Sequence, residues 1–193
     1  MRICVYCSSS DAVDGVYVEA ARALGHEIAT RGHELVYGGA SIGLMGDVAR
    51  AATAAGGRVL GIIPRRFAQR GLTYQDTDET IITETMAERK SHMIEVAEAF
   101  VALPGGFGTL DELFEVMTLV QTGKSRKRPI LLFGRDFWQR LLDFDVLIEH
   151  GVISPEDVGL FHYAETAEEA WGVIKDAYSG DNPALTARQF KGN

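Results

Sequence analysis

Short apolar runs alternate with helical stripes along this chain. The runs cover residues 2–7, 34–37, 59–63, 100–103 and 129–133 and are rich in Val, Ile, Leu and Phe. They are too short for helices and nearly continuous in apolar character. Strands buried on both faces read this way, and parallel sheets are built from them. Between the runs stand stripes near a 3.6-residue period. Tyr17, Ala20, Ala21, Leu24 and Ile28 form one, and Leu113, Phe114, Val116, Met117 and Val120 form another. Residues 48–55 predict an alanine-rich helix, 137–144 a further helix and 166–177 a final amphipathic one. Gly32 stands where a helix C-cap is expected, and Ser154-Pro155 is the N-cap and first position of a short helix. Residues 79–83 predict a short strand, and the polar stretch 65–78 a short helix and loop at the rim of a pocket. The alternation predicts an α/β fold with a parallel β-sheet covered by helices on both faces. Residues 1–178 form one domain in this reading, and 179–193, without periodicity, form a flexible tail.

Two of the strand-to-helix turns are rich in glycine: residues 38–46 and residues 103–112, the latter reading LPGGFGTLDE. A strand that breaks into glycines and opens a helix presents free backbone N–H groups and the positive end of the helix dipole, which suits a phosphate. The first turn places its glycines at 38, 39, 43 and 46, which is not the dinucleotide fingerprint. No acidic residue ends the following strand, so a nucleotide or phosphosugar pocket fits better than a dinucleotide one. Glu112 falls early in the helix after the second turn. An acid does not help to bind phosphate, so its presence suggests chemistry beside the phosphate. Thr109-Leu110-Asp111-Glu112 is also T-x-x-E, the pattern of a capping box, in which Glu112 would only satisfy a helix end. Asp111 and Glu115 are nearby acids able to share or take over its role. Arg89 shares a helix face with Met86 and Met93, and an arginine on an apolar face needs an anionic partner. A ligand phosphate or carboxylate, or Glu112 itself, would serve.

Composition narrows the function. The formal net charge is −8 over 193 residues, which argues against general nucleic-acid or anionic-membrane binding. Residues 124–128 are a basic run that reads as a solvated loop. With 46% hydrophobic residues the chain can build a core. The first residues lack the apolar segment of a signal peptide, and no apolar run approaches a membrane span, so a cytoplasmic protein is expected. Cys4 and Cys7 are spaced C-x-x-C, but on a strand they face opposite sides about 10 Å apart, too far for a disulfide. No second pair exists to complete a zinc site. A redox or metal role is therefore a minor reading beside two core residues.

Three motifs together resemble the LOG family, the cytokinin riboside 5′-monophosphate phosphoribohydrolases, many bacterial members of which carry a "lysine decarboxylase" label. They are Gly38-Gly39 through Gly43-Leu44-Met45-Gly46, Arg89-Lys90-x-x-Met93, and Pro104-Gly105-Gly106-x-Gly108-Thr109-x-x-Glu112. The resemblance runs from Arg2 to about Tyr178. It implies a Rossmann-like three-layer sandwich and hydrolysis of the N-glycosidic bond of a nucleoside 5′-monophosphate, with AMP a further substrate. It implies Arg89 and Glu112 as the catalytic pair, with Gly105, Gly106, Gly108 and Thr109 on the phosphate. It places Gly39, Gly43, Met45, Gly46, Met86 and Lys90 at the substrate. It implies no cofactor, no metal and a homodimer. Base specificity would lie in walls around residues 8–11 and 74–78. The rival readings are a non-catalytic nucleotide sensor of the same fold and the decarboxylase label itself. The second would require a Schiff-base lysine such as Lys90, which fits more simply as part of the Arg-Lys pair.

Overall fold

In the computed structural model, which describes residues 1–179, seven strands form one parallel sheet in the order β4-β3-β2-β1-β5-β6-β7. The strands are β1 Arg2–Tyr6, β2 Glu34–Tyr37, β3 Arg58–Pro64, β4 Glu79–Thr83, β5 Ala99–Ala102, β6 Ile130–Phe133 and β7 His162–Ala164. Residues 180–193, most of the expected tail, lie outside the described residues. The helices are α1 Gly15–Thr30, α2 Gly43–Ala54, α3 Arg65–Ala68, α4 Met86–Val96, α5 Phe107–Gln121, α6 Arg135–Leu141, α7 Phe144–Glu149 and α8 Ala167–Tyr178. The chain builds outward from β1 through β2, β3 and β4, then returns to lay β5 against the other side of β1. That reversal is a topological switch point, where ligands bind open α/β sheets.

Side-chain alternation along β1 divides the core into two. Ile3, Val5 and Cys7 join a cluster with Leu24, Leu44 and Ile174, drawn from α1, α2 and α8. Cys4 and Tyr6 join the opposite cluster with Met93, Val116 and Trp138, drawn from α4, α5 and α6. The sheet is thus the middle of three layers, as the near-continuous apolar strands predict. The two cysteines are free and buried in different clusters. Burial raises both thiols well above their ordinary range, so neither is a ready thiolate.

Local chemistry sets the boundaries. Gly32, at φ 73°, follows α1, and the His33 N–H bonds the Ile28 carbonyl. Ser154 and Asp157 make a reciprocal capping box at the start of a 3-10 turn, Pro155–Leu160. α2 begins at Gly43 rather than Val48, inside the glycine-rich turn, because groups from the β1 loop cap it. The helix expected over 137–144 is two. Asp143 accepts from the N–H groups of Asp145 and Val146 and starts α7 afresh. β7 escapes the hydrophobic pattern because it is three residues long, on an edge, and begins with His162 and Tyr163.

The basic run also differs from expectation at one position. Arg128 is 7% exposed. Its Nη1 donates to the carbonyls of Ile94 and Ala97 at the end of α4, its Nη2 donates to Ser125 Oγ, and its guanidinium lies over the Phe100 ring. A cation at the negative end of a helix satisfies orphan carbonyls and favours the dipole. Arg128→Ala should destabilise the protein by about 1–3 kcal/mol, the cost of leaving buried acceptors unpaired. Urea unfolding checks this, with Lys127→Ala as the exposed comparison expected within about 0.5 kcal/mol of wild type.

Candidate active site

The carboxyl ends of β1, β2, β3 and β5 open into one cavity of about 470 Å³. Its floor is a buried ion pair. Arg89 comes from the first turns of α4 and Glu112 from the second turn of α5. Arg89 Nη1 stands 2.5 Å from Glu112 Oε1, with the two side chains 6% and 7% exposed. Arg89 Nε donates to the Ile62 carbonyl at 3.0 Å, so β3 also fixes the guanidinium. The arginine on an apolar face thus finds its anion in Glu112. Burial raises the Glu112 carboxyl above its ordinary value, and the charge of Arg89 opposes the rise without cancelling it. Glu112 is therefore no capping-box residue. α5 has Gly106 at its N-cap and no side-chain cap.

Glu112 has acidic neighbours on both sides in sequence, and Lys90 removes them. Its Nζ lies 2.9 Å from Asp111 and 2.7 Å from Glu115. Lys90 and its two carboxylates stand outside the cavity lining, and the lysine clamps α4 to α5. Of the three acids, Glu112 alone lines the cavity.

Two helix N-termini face this region, and they differ. At α2 the Gly43 N–H donates to Asp11 Oδ1 at 2.8 Å, and the Met45 N–H to the Ser8 carbonyl at 3.3 Å. Protein groups occupy that end. At α5 no acidic residue stands in the first turn, and Gly106, Phe107, Gly108 and Thr109 line the cavity. The α5 end is the one left open to the cavity.

The remaining expected site residues divide between wall and support. Met45 and Met86 line the cavity beside Arg89. Gly39, Gly43, Gly46 and Gly105 lie outside its lining and shape the turns behind it. A Cβ on Gly105 would sit 2.1 Å from Thr109 Oγ1, and one on Gly43 would strike the backbone of Ser9 and Ser10. Gly38 is a lining residue that the motif reading left outside the site. Its Cβ would fall 2.2 Å from Arg89 Nη2, so the guanidinium occupies the space a side chain would need. Its place directly after β2 was the available signal. Of the two suggested base walls, residues 8–10 line the cavity and 74–78 do not; Phe67 and Leu72 stand there instead.

Known proteins can now be set beside this geometry. Residues 45–174 match the family described as "Possible lysine decarboxylase". The cytokinin riboside 5′-monophosphate phosphoribohydrolase LOG5 of Arabidopsis thaliana is 41% identical over 97% of this chain and 82% of its own length. LOG3 of the same plant is 44% identical over 87% and 79%. Among solved structures, a molybdenum cofactor carrier protein of Chlamydomonas reinhardtii superposes with a TM-score of 0.67 at 25% identity, over 91% of this chain and 96% of that one. A molybdenum cofactor binding protein of Rippkaea orientalis, at 21% identity and TM-score 0.69 over 92% and 97%, shares the fold.

Gly38→Ala should cost about 1–3 kcal/mol, because the guanidinium must leave its place. Gly108→Ala meets no atom within 4 Å and lies in a helix, so it should hold or raise stability by up to about 1 kcal/mol. Urea midpoints of the two variants give the comparison; equal midpoints would remove the steric role assigned to Gly38. By motif, matching model and identity over most of its length, the chain belongs to the LOG family.

Proposed function

We propose that this protein is a phosphoribohydrolase that cleaves the N-glycosidic bond of a cytokinin nucleoside 5′-monophosphate, and of AMP, to free base and ribose 5-phosphate. The observation that carries the reading is a buried carboxylate beside an uncapped helix N-terminus in one cavity. In this reading the 5′-phosphate sits on the N–H groups that open α5, between Gly106 and Thr109. Binding there holds the ribose over Glu112 and supplies binding energy remote from the reacting bond. As the C1′–N bond breaks, its electron pair leaves with the base and positive charge grows on the sugar. The Glu112 carboxylate stabilises that charge and takes a proton from the water that adds to C1′. The base takes up a proton as it departs. Arg89 holds the carboxylate in place through Nη1, with Nη2 available to the substrate.

The non-catalytic alternative draws support from the fold shared with a cofactor carrier. Glu112 weighs against it, because a buried acid close to a bound phosphate weakens binding. Amino-acid decarboxylation is disfavoured by position: among the described residues no lysine lines the cavity, and Lys90 is held by two carboxylates outside it. The reading includes a homodimer in the cytoplasm. Phe107 and Phe114 lie seven residues apart on one face of α5, 92% and 37% exposed, and a second copy would cover them. Among the described residues no helix is long and apolar enough to cross a membrane. Light scattering giving a monomer at micromolar concentration would remove the dimer.

Chromatography of free base after incubation with AMP or a prenylated AMP tests the activity. Glu112→Gln should lower base release by at least about 100-fold while calorimetric nucleotide binding persists. Because the acting form is the carboxylate and burial raises its pKa, the acid limb of kcat should lie above the ordinary glutamate range and disappear in Glu112→Gln. No base release from wild type, with binding retained, would favour the non-catalytic protein.

A further inference from the structure

We infer that Lys90 is a positioning residue of the reaction: by holding Asp111 and Glu115 against α4, it keeps Glu112 a lone, ionised carboxylate facing the cavity. The inference rests on the phosphoribohydrolase reading for its effect on rate, but not for its effect on Glu112. Five charged side chains meet where α4 faces α5: Arg89 and Lys90 on one helix, Asp111, Glu112 and Glu115 on the other. Asp111 and Glu115 stand four apart on one face of α5, where like charges repel, and Glu112 lies beside both in the helix. Neighbours along α4 point about 100° apart. Arg89 therefore goes inward to Glu112, while Lys90 passes outside to the other two acids.

A solvated surface pair would matter little here, but this one is partly enclosed. The Lys90 side chain is 15% exposed. Glu115 Oε2 is buried, and the ammonium 2.7 Å away is the one cation paired with it among the described residues. Burial works against the Lys90 charge, but the bonds to Glu115 and Asp111 outweigh it and hold the amine protonated. Without the lysine, Arg89 alone would face three carboxylates. Glu112 also faces Cys4 and Tyr6 of β1 and Cys7 just after it. Burial holds those three neutral, so they supply no compensating charge. Burial, the largest influence on Glu112 itself, favours the neutral acid, and Arg89 opposes it. Asp111 then adds to the first effect and Lys90 to the second. Because the acting form is the carboxylate, loss of Lys90 raises the pH at which Glu112 can act.

In Lys90→Met the acid limb of kcat should move to higher pH. Removing one cation at this range should lower kcat at about pH 6 by about 3- to 10-fold relative to kcat at about pH 8.5. Lys90→Arg should hold the limb near wild type. The double variant Asp111→Asn, Glu115→Gln keeps the lysine and should move the limb the other way. The Glu112 carboxyl, followed by carbon-13 NMR and assigned with Glu112→Gln, should titrate in the same directions without any turnover. If Lys90→Met fails to fold, the double variant decides the matter by the same two readouts. A limb and a carboxyl titration unmoved in the folded variants, with only the urea midpoint lowered, would reduce the lysine to a structural clamp and overturn the inference. Loss of calorimetric AMP binding in Lys90→Met, with the carboxyl titration unmoved, would also overturn it, as the mark of a lysine that touches substrate. No base release from wild type would overturn the reaction, while the carboxyl titration would still decide the role of Lys90.

Discussion

The contact between Arg89 and Glu112 is what the architecture around the cavity serves. Two opposite charges taken out of water together lose hydration that their attraction returns only when the geometry is well held. Here three elements hold it. α4 carries the arginine, α5 carries the glutamate, and the Ile62 carbonyl of β3 fixes the guanidinium from below. Gly38 leaves the space in which it lies. Lys90 draws the flanking acids to the outside, so one carboxylate faces inward with a raised pKa. A pair so enclosed adds little to stability compared with apolar packing of the same volume, and its value is to keep an acid in a dry place at a defined position.

The two helix openings at the cavity differ in what closes them. The turns look alike in sequence. Asp11 and Ser8, from a different loop, close the α2 end, whereas nothing comparable closes α5. Glycine content alone would have counted both as phosphate sites. The discriminating group lies more than thirty residues from the turn that it caps.

Much of this was legible in the chain. Continuous apolar strands fixed the parallel sheet and its covered faces, and an arginine among methionines announced a buried partner. The motifs named Arg89 and Glu112 together. What stayed hidden depends on long-range placement. Arg128 reads as one more cation in a basic run, and only the arrival of α4's last carbonyls makes it a cap. Lys90 follows Arg89 directly, yet a rotation of about 100° along the helix sends it to a different set of acids. Phe67 and Leu72 carry no signal because a polar, aperiodic stretch gives no hint of which side chain turns inward. β7 is too short and too polar at its start for a pattern of period two to register.

The central position of β1 has a consequence for the order in which the molecule comes into being. β1 is the first strand made, but its second neighbour is β5, with Ile3 in register with Ala99. Contacts of such long sequence separation form late, after the entropy of closing a large loop has been met. During synthesis, one flank of β1 must wait while β2, β3 and β4 assemble on the other. The arginine and the glutamate emerge on opposite sides of that same event. Insertion of β5 brings α5 and its glutamate to the arginine side, and β6 and β7 then extend the sheet. A chain made only as far as α4 therefore carries the arginine side of the cavity without the glutamate, and any ligand that needs both sides acts as a selective stabiliser of the finished fold.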